Sequence, residues 1–505
     1  MIILDTIDDA LNEITMYRLL IYGLSLFAAV ALALAGFGSL GLSFTGMAVS
    51  LAVLLTVGYI ANTALAKAWG AIPNHESGLI TSLILFFLLP PATTTARALA
   101  IGLAVLVAIA SKYMIAWHNK HIFNPAAFGA FFVGLLGLVH SSWWIGSSLL
   151  WPMTLIIGLL IVRKIRRFSL LTSFVTVSVA LTIAMAITQQ HDIWSNLKPA
   201  LIASPLIFLG TIMLTEPATM PPDRRKQMLF GALVGGLYSV HINLGGFTVY
   251  PETALLLGNL YAFTVSPRAK WNLVLQEVQI QSDRIRNYVF TPDRPVSFKP
   301  GQYMEWTLPN VGFDQRGNRR TFTIASSPTE STVLLGAKFY EPSSAYKKRL
   351  ASLQPGDRIV AGQVAGNFNL PADPTQKLLF VAGGIGITPF RSMLQYLLDT
   401  NDRRDIVLLY FVANAEEVSY KRVLKAAMES GIRIVPIIST ADAYPGWQGP
   451  VGRPTTELLQ QQVPDLKERR VYISGPDAMV KATKRLARQS GIPRRQIVTD
   501  YFSGY

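Results

Sequence analysis

The sequence predicts two structurally different halves: a multi-span α-helical membrane domain of about ten spans, followed by an antiparallel β-barrel domain and an α/β domain built on a parallel sheet. Three observations predict this. Long apolar runs with few charges recur from Tyr17 to Thr264. From Lys270 onward, short apolar strands alternate with charged and turn residues. The 505 residues also exceed what a single core normally holds. The expected boundaries are 1–265 for the helical domain, 270–373 for the barrel and 374–505 for the parallel-sheet domain.

The apolar stretches begin near Tyr17, Thr45, Ser77, Thr95, Ile122, Gly146, Ser169, Pro199, Met228 and Pro251. Several are shorter than the roughly 20 residues a straight span needs. The stretch from Ser77 stops at Pro90-Pro91, and the one from Pro251 to Thr264 is brief, so these are expected to be tilted, broken or buried among neighbours. Acidic residues (Asp5, Asp8, Asp9, Glu13) rather than a basic segment precede the first run, which therefore reads as a retained span and not a cleaved signal.

Charge sets an orientation. With alternating spans, one set of connections carries Lys67, Lys112, Lys120, Arg163, Lys164, Arg166, Arg167, Arg224, Arg225, Lys226, Arg268 and Lys270, whereas the other carries only Arg97 and Lys198. The positive-inside rule then places both termini and the soluble half in the cytoplasm, on a multi-pass protein of the cytoplasmic (inner) membrane. Much of the helical half's share of the net charge of +15 lies in these loops, and no nucleic-acid-binding motif accompanies it, so the expected contact is membrane lipid and not nucleic acid. Cysteine is absent, which excludes disulfides, cysteine-ligated zinc and thiolate-held iron-sulfur clusters in this chain. No metal site is expected.

In the soluble half, Trp271 to Phe290 alternates as a strand. Phe298-Lys299-Pro300-Gly301-Gln302-Tyr303 turns into another, and a further cluster runs from Asn318 to Pro328. From Lys377 the texture changes to apolar strands (Leu378 to Ala382, Ile406 to Val412, Ile432 to Ile438, Val471 to Ser474) separated by helical stretches, which argues βα units on a parallel sheet. The segment Phe380 to Pro389 is a strand running into Gly383, Gly384 and Gly386 and then a helix opening at Thr388-Pro389. Glycines let a backbone approach a pyrophosphate, and a helix amino terminus offers free NH groups and a favourable dipole.

With these residues in view, the soluble half resembles the ferredoxin-NADP reductase family over its whole length. The family's flavin motif of Arg, any residue, an aromatic and Ser or Thr is met by Arg320, Thr321, Phe322 and Thr323. The resemblance assigns Arg320 to the FAD pyrophosphate, Phe322 to packing on the isoalloxazine and Thr323 to a hydrogen bond near its N5. It adds Gln302 and Tyr303 to the flavin site, Ser344, Tyr346 and Lys347 as a second phosphate and adenine contact, and Gly366 and Phe368 where the barrel closes. The glycine loop would hold the nicotinamide cofactor's pyrophosphate. Ser474-Gly475-Pro476 resembles the family's cysteine-glycine-proline loop beside the nicotinamide, with Ser474 replacing the Cys. An aromatic near the carboxyl end, Phe502 or alternatively Tyr505, would lie over the flavin. Ala415 and Thr440 stand where NADP-specific relatives carry cations, which favours NADH, with Arg453 and Lys421 left as alternative phosphate contacts.

The helical half carries polar sets near span ends: Trp117 to His121 leading into Asn124-Pro125-Ala126-Ala127-Phe128-Gly129, Thr215 to Pro221 with Glu216 and Thr219, and Tyr250 to Asn259. Together with Thr81 to Pro91 they resemble the D subunit of Rnf-type and the B subunit of Nqr-type electron-transport complexes over roughly residues 75 to 265. Those subunits carry flavin in the membrane. Their covalent attachment motif, a Ser-Gly-Ala-Thr-like run, is absent, and the corresponding loop from Gln189 to Lys198 is short. The resemblance thus implies a second, non-covalent flavin (FMN or riboflavin) at Asn124, Glu216, Thr219 and Asn259. It would pass electrons from NAD(P)H and FAD to an acceptor at or beyond the outer face, such as an extracytoplasmic flavoprotein or a quinone. Asn124 and Thr219 also suit helix capping beside proline.

Two other classes compete. A ferric reductase or NAD(P)H oxidase would need paired haem histidines inside two helices, whereas His75, His118, His121, His140 and His191 lie near span ends and only His241 within one. A redox-coupled ion transporter is the other.

Overall fold

The computed structural model describes residues 7, 11, 14–69, 74–117, 120–221, 223–240, 243–244, 247–265, 270–309, 311, 318–341, 343–439 and 447–502. The chain divides into two compact units, Met1–Ala269 and Lys270–Tyr505. His118, His241, Arg268, Thr440 and Tyr505 lie outside the described residues, as do the side chains of Lys120 and Phe502.

The first unit is helical. Its helices are α1 (Met16–Gly36), α2 (Phe44–Ala68), α3 (His75–Leu88), α4 (Thr95–Met114), α5 (Pro125–Leu135), α6 (Trp151–Ile165), α7 (Phe168–Thr188), α8 (Ile193–Ile202), α9 (Leu206–Met213), α10 (Arg224–Ser239) and α11 (Pro251–Val265). Each apolar stretch of the sequence coincides with a helix or, for α8 and α9, a broken pair. Among the described residues four helices, α1, α2, α4 and α7, are long and apolar enough to cross a membrane, or five if α8 and α9, bent by 52°, make one span. The remaining helices have 11 to 16 residues, so full-length crossings fall short of the expected count of about ten.

Short helices among apolar neighbours must have their end groups satisfied by protein. Helix α3 shows how. Its first turn is capped by Asn74, whose Oδ1 accepts from Ser77 N at 3.2 Å. At the other end Trp144 Nε1 donates to the carbonyls of Phe86 (2.8 Å) and Leu89 (3.1 Å), and the Ser142 and Trp143 amides both donate to Leu88 O. Elsewhere helices touch backbone to backbone. A Cβ added to Gly231 or Gly235 of α10 would lie 2.7 Å from Leu170 O or 2.6 Å from Phe174 O of α7, the small-residue contact that permits close approach in an apolar bundle.

The second unit joins two sheets. Strands β1 (Lys270–Ser282), β2 (Ile285–Pro292), β3 (Tyr303–Thr307), β4 (Arg319–Thr323), β5 (Val333–Lys338) and β6 (Arg358–Ala365), with helix α12 (Ala345–Ala351) before β6, form an antiparallel sheet of order β4-β3-β6-β1-β2-β5. The expected barrel is thus a curled sheet with β4 and β5 at its edges. Irregularities at 275–277, 280–282 and 362–365 increase its twist. Past β4, Ala325 N donates to Leu334 O at 2.9 Å and Leu334 N to Ser326 Oγ at 3.1 Å, which draws the edges together.

The parallel sheet contains β7 (Leu378–Gly383), β8 (Ile406–Val412), β9 (Arg433–Ile438), β10 (Arg470–Pro476) and β11 (Ile497–Phe502) in the order β9-β8-β7-β10-β11. Its helices are α13 (Thr388–Thr400), α14 (Lys421–Glu429), α15 (Thr456–Gln462) and α16 (Asp477–Gln489). Every residue of β7 and β8 is buried, as expected of strands covered on both faces. Phe380 packs on Phe390 of α13 on one side, while Val381 belongs with Val480 and Ala487 of α16 on the other. The strand order reverses at β7, which puts the ligand crevice at the carboxyl ends of β7 and β10.

Gly301 locks the curled sheet to the parallel one. Its φ is +90°, and an added Cβ would sit 2.1 Å from Phe368 O and 2.5 Å from Met393 Cε. Gly301→Ala is expected to destabilise the second unit by roughly 2–4 kcal/mol, read as a lower thermal midpoint for flavin release from the full-length protein.

Candidate functional site

The crevice at the β7 switch point is shaped by missing side chains. After β7, Gly384 to Ile387 makes one 3-10 turn that leads into α13, with Pro389 in its first turn and no side chain capping its amino end. Gly384 has a φ of +52°. A Cβ on Gly386 would meet Ser474 O at 2.4 Å and Gly475 Cα at 2.6 Å, and one on Gly383 would meet Met479 Sδ at 2.2 Å. The Gly383–Gly386 loop and the Ser474-Gly475-Pro476 turn at the end of β10 therefore touch backbone to backbone. Thr388 is buried and its Oγ1 donates to Ile385 O at 3.1 Å. An uncapped helix amino end behind a glycine turn suits a pyrophosphate.

On the curled sheet, β3 and β4 pair Tyr303 with Thr323 and Trp306 with Arg320. The Arg320 guanidinium lies 4.9 Å from the centre of the Tyr346 ring and donates to Arg319 O at 2.7 Å. Tyr346 is fully buried; burial pushes its phenol well above the usual value, and the neutral hydroxyl donates to Trp306 O at 3.2 Å. Tyr346 thus supports Arg320 and Phe322, whose ring centre is 6.0 Å away, from beneath. Gln302 stitches its own turn to the end of β6: Lys299 N donates to its Oε1 at 2.8 Å, and its Nε2 donates to Gly366 O at 3.2 Å. Gly366, with φ +117°, leaves room for the Tyr303 ring. Phe368 is buried against Phe390 and Tyr472.

Thr323 Oγ1 and Ser474 Oγ lie in residues 2% and 0% exposed and have no hydrogen-bond partner. Buried polar atoms are normally satisfied, and these two are among several in the second unit that are not. Ser344 caps α12, accepting from Lys347 N, and the Lys347 ammonium donates to Lys338 O at 2.7 Å. Phe502 ends β11 in register with Pro476.

The four polar residues singled out in the first unit form one network. Glu216 Oε2 accepts from Asn124 Nδ2 at 2.9 Å and Thr219 Oγ1 at 3.0 Å, while Asn259 accepts from Asn124 N at 2.8 Å and donates to Thr219 O at 3.3 Å. Asn124 also caps α5, its Oδ1 accepting from Ala127 N at 3.0 Å. Asn124 and Glu216 border a small cleft otherwise walled by residues such as Leu20, Ile80, Ile84 and Ile212.

Comparison with known proteins bears on the second unit. The oxidoreductase NAD-binding domain family matches residues 380–485. The ferredoxin–NADP reductase B of Sorangium cellulosum is 29% identical over 211 residues, 40% of this chain and 83% of that protein. The carboxy-terminal half carries a ferredoxin-NADP reductase-like NAD-binding domain. The second unit is thus similar over most of its length to a ferredoxin–NADP reductase, and part of it matches an oxidoreductase NAD-binding domain. The glycine betaine monooxygenase reductase subunit of Chromohalobacter salexigens is 28% identical over 213 residues, 41% of this chain and 57% of that one. The stachydrine N-demethylase reductase subunit of Rhizobium meliloti is 30% identical over 188 residues, 37% and 52% respectively. The chain spans little more than half the length of these two relatives.

Sequence reasoning missed Lys338 and Glu417. Lys338 ends β5, its ammonium 2.6 Å from Glu417 Oε2 and 3.9 Å from where a Cβ on Gly384 would stand, so a nearly buried cation borders the Gly383–Gly386 turn. A lysine closing the apolar run Val333-Leu334-Leu335-Gly336-Ala337 was the available signal.

Arg320→Ala should weaken FAD retention by about ten- to a hundred-fold, the span set by losing one charge-assisted hydrogen bond; unchanged flavin content after gel filtration would remove Arg320 from the site. Gly386→Val should raise the KM for NADH roughly ten-fold by pushing the two loops apart, and steady-state kinetics with wild-type constants would sink that assignment.

Proposed function

We propose that the chain is a membrane-embedded NAD(P)H-dependent flavin oxidoreductase that passes electrons through FAD to a second, non-covalent flavin held in its helical half and on to an acceptor at or beyond the outer face. The observation that carries this reading is the joining, on one chain, of a reductase-like half to apolar helices that bury a hydrogen-bonded Asn124–Glu216–Thr219–Asn259 network beside a cleft. Buried polar residues in such a setting are costly and mark function. The likeness of these elements to Rnf D and Nqr B subunits supports flavin as the ligand, and the missing attachment threonine supports a dissociable one.

When bound, the two cofactors supply hydride transfer to the flavin and its onward release as single electrons. The chain's part is positioning. Arg320, backed by the Tyr346 ring, presents its fork to the FAD pyrophosphate. Thr323 and Ser474 offer their unmatched hydroxyls to the flavin and nicotinamide edges. The Gly383–Gly386 turn and the α13 amino end receive the dinucleotide pyrophosphate, with Lys338 at its border, and NADH is the favoured donor. The cationic loops orient the reductase-like half to the cytoplasm.

Asn124→Leu should abolish NADH-driven reduction of the outer acceptor while NADH still reduces FAD. Because Asn124 is also a helix cap, Asn124→Ser is the paired variant: it keeps a capping oxygen but cannot span to Glu216. If Asn124→Ser delivers electrons at the wild-type rate, Asn124 is only a cap and the carrier site lies elsewhere.

A further inference from the structure

The chain has no cysteine, so its oxidisable sulfur is the thioether of 13 methionines. Four of these belong to the second unit. Met304 and Met393 are fully buried, and Met428 is exposed on α14. Met479, in the first turn of α16, is half-buried and stands at the crevice. An added Cβ on Gly383 would collide with its Sδ and come within 3.2 Å of its Cε and of Pro476 Cδ. The thioether therefore fills the space that Gly383 leaves empty, where the Gly383–Gly386 turn meets the Ser474-Gly475-Pro476 turn. The two turns leave little slack there, since a Cβ on Gly475 would lie 3.2 Å from both Gly383 Cα and Gly383 N. An oxygen added to this sulfur on the side of the turn has to find the same space that a Cβ on Gly383 would need.

We propose that Met479 is an oxidation switch of the dinucleotide site, in which hydrogen peroxide converts its thioether to the sulfoxide and closes the crevice to NADH. This rests on the proposed role of the glycine turn in receiving the dinucleotide. In the step, the sulfur attacks one peroxide oxygen, the O–O bond breaks, an S–O bond forms, and the second oxygen leaves as water. The sulfur loses two electrons and the peroxide gains them. The product is a bulkier, polar side chain in a place shaped for an apolar one. Its oxygen has to displace the glycine turn or swing into the crevice, and both deny the pyrophosphate its seat. The four methionines of the second unit divide by position. Met304 and Met393 are shielded, Met428 reacts at the surface of α14, and Met479 is both reachable and packed against the turn. Methionine sulfoxide reductases convert the sulfoxide back, so the switch is reversible.

The test uses the full-length protein with the flavin it carries on purification. It is treated with graded hydrogen peroxide, the excess is removed with catalase, and the sulfoxide at each methionine is measured by peptide mass beside the KM and kcat for NADH with ferricyanide as acceptor. The KM should rise about ten-fold in step with sulfoxide at Met479 and not with that at Met428, with little change in kcat. The two methionine sulfoxide reductases, one for each epimer, should restore it. Met479→Leu should keep its own KM through the treatment, whereas Met428→Leu should respond as the wild type does. A second readout needs no turnover: saturating NAD+ should slow sulfoxide formation at Met479 several-fold and leave Met428 unchanged. Protection by NAD+ together with full conversion of Met479 at an unchanged KM would overturn the switch and leave the dinucleotide reading standing. A rise in KM that persists in Met479→Leu would overturn it too, and if that variant does not fold, the correlation in the wild type decides alone. Equal oxidation of Met479 with and without NAD+ would remove the dinucleotide from the glycine turn and the switch with it.

Discussion

Arg391 and Ser392, neighbours on α13, reach back to the loop that follows β4. Arg391 forks onto Glu330 and donates to Ala325 O at 3.1 Å, and Ser392 Oγ donates to Ser326 O at 2.6 Å. The rest of the reductase-like half depends on this clamp, because α13 begins at the Gly383–Gly386 turn and the clamped segment begins two residues after Thr323. One rigid helix thereby sets the distance between the glycine turn at its amino end and β4, the two places proposed to receive a dinucleotide and a flavin. Two further ties act in parallel. The Tyr420 hydroxyl donates to Asn287 Oδ1 at 2.8 Å, through a gap that Gly336 leaves open, and the Tyr472 hydroxyl donates to Asn369 O at 2.8 Å. Preorganisation of this kind is what hydride transfer needs, since small errors in approach are costly.

The helical half follows a different constraint. Backbone and side-chain polar groups removed from water must find partners within the protein, and its short helices end where such partners are supplied. Trp144 and the amides of Ser142 and Trp143 satisfy the end of α3, while Trp143 Nε1 donates to Glu252 at 2.7 Å. Asn124 serves two masters at the start of α5, capping the helix and holding Glu216.

What could be read from the sequence was local. The glycine turn before α13 was legible because a pyrophosphate loop needs glycines at fixed offsets from a strand end, and β7 to β10 because buried parallel strands are continuous apolar runs. Closure of the curled sheet was not, since it turns on Ala325 meeting Leu334 and on bulges that leave no mark in the alternation. Ser344, a phosphate contact by resemblance, also caps α12, a second role that the residue type alone did not reveal. The Lys338–Glu417 pair joins residues 79 apart, and Asn124 meets Asn259 across 135, so neither partnership had a sequence signature. The polar residues of the helical half stood out against their apolar background, but only the fold shows that they bond one another. The expected ten spans are not shown because five of the apolar stretches form helices of only 11 to 16 residues, and a sixth is bent between α8 and α9.

The central claim is that this chain carries two dissociable flavins, one in each half. The most direct measurement is a cofactor inventory of the purified full-length protein by mass and absorbance, before and after denaturation. The account predicts FAD plus one FMN or riboflavin per chain, both released on denaturation and both bleached by NADH. A single flavin per chain, a flavin that stays with the denatured polypeptide, or the absorbance of a haem would contradict it.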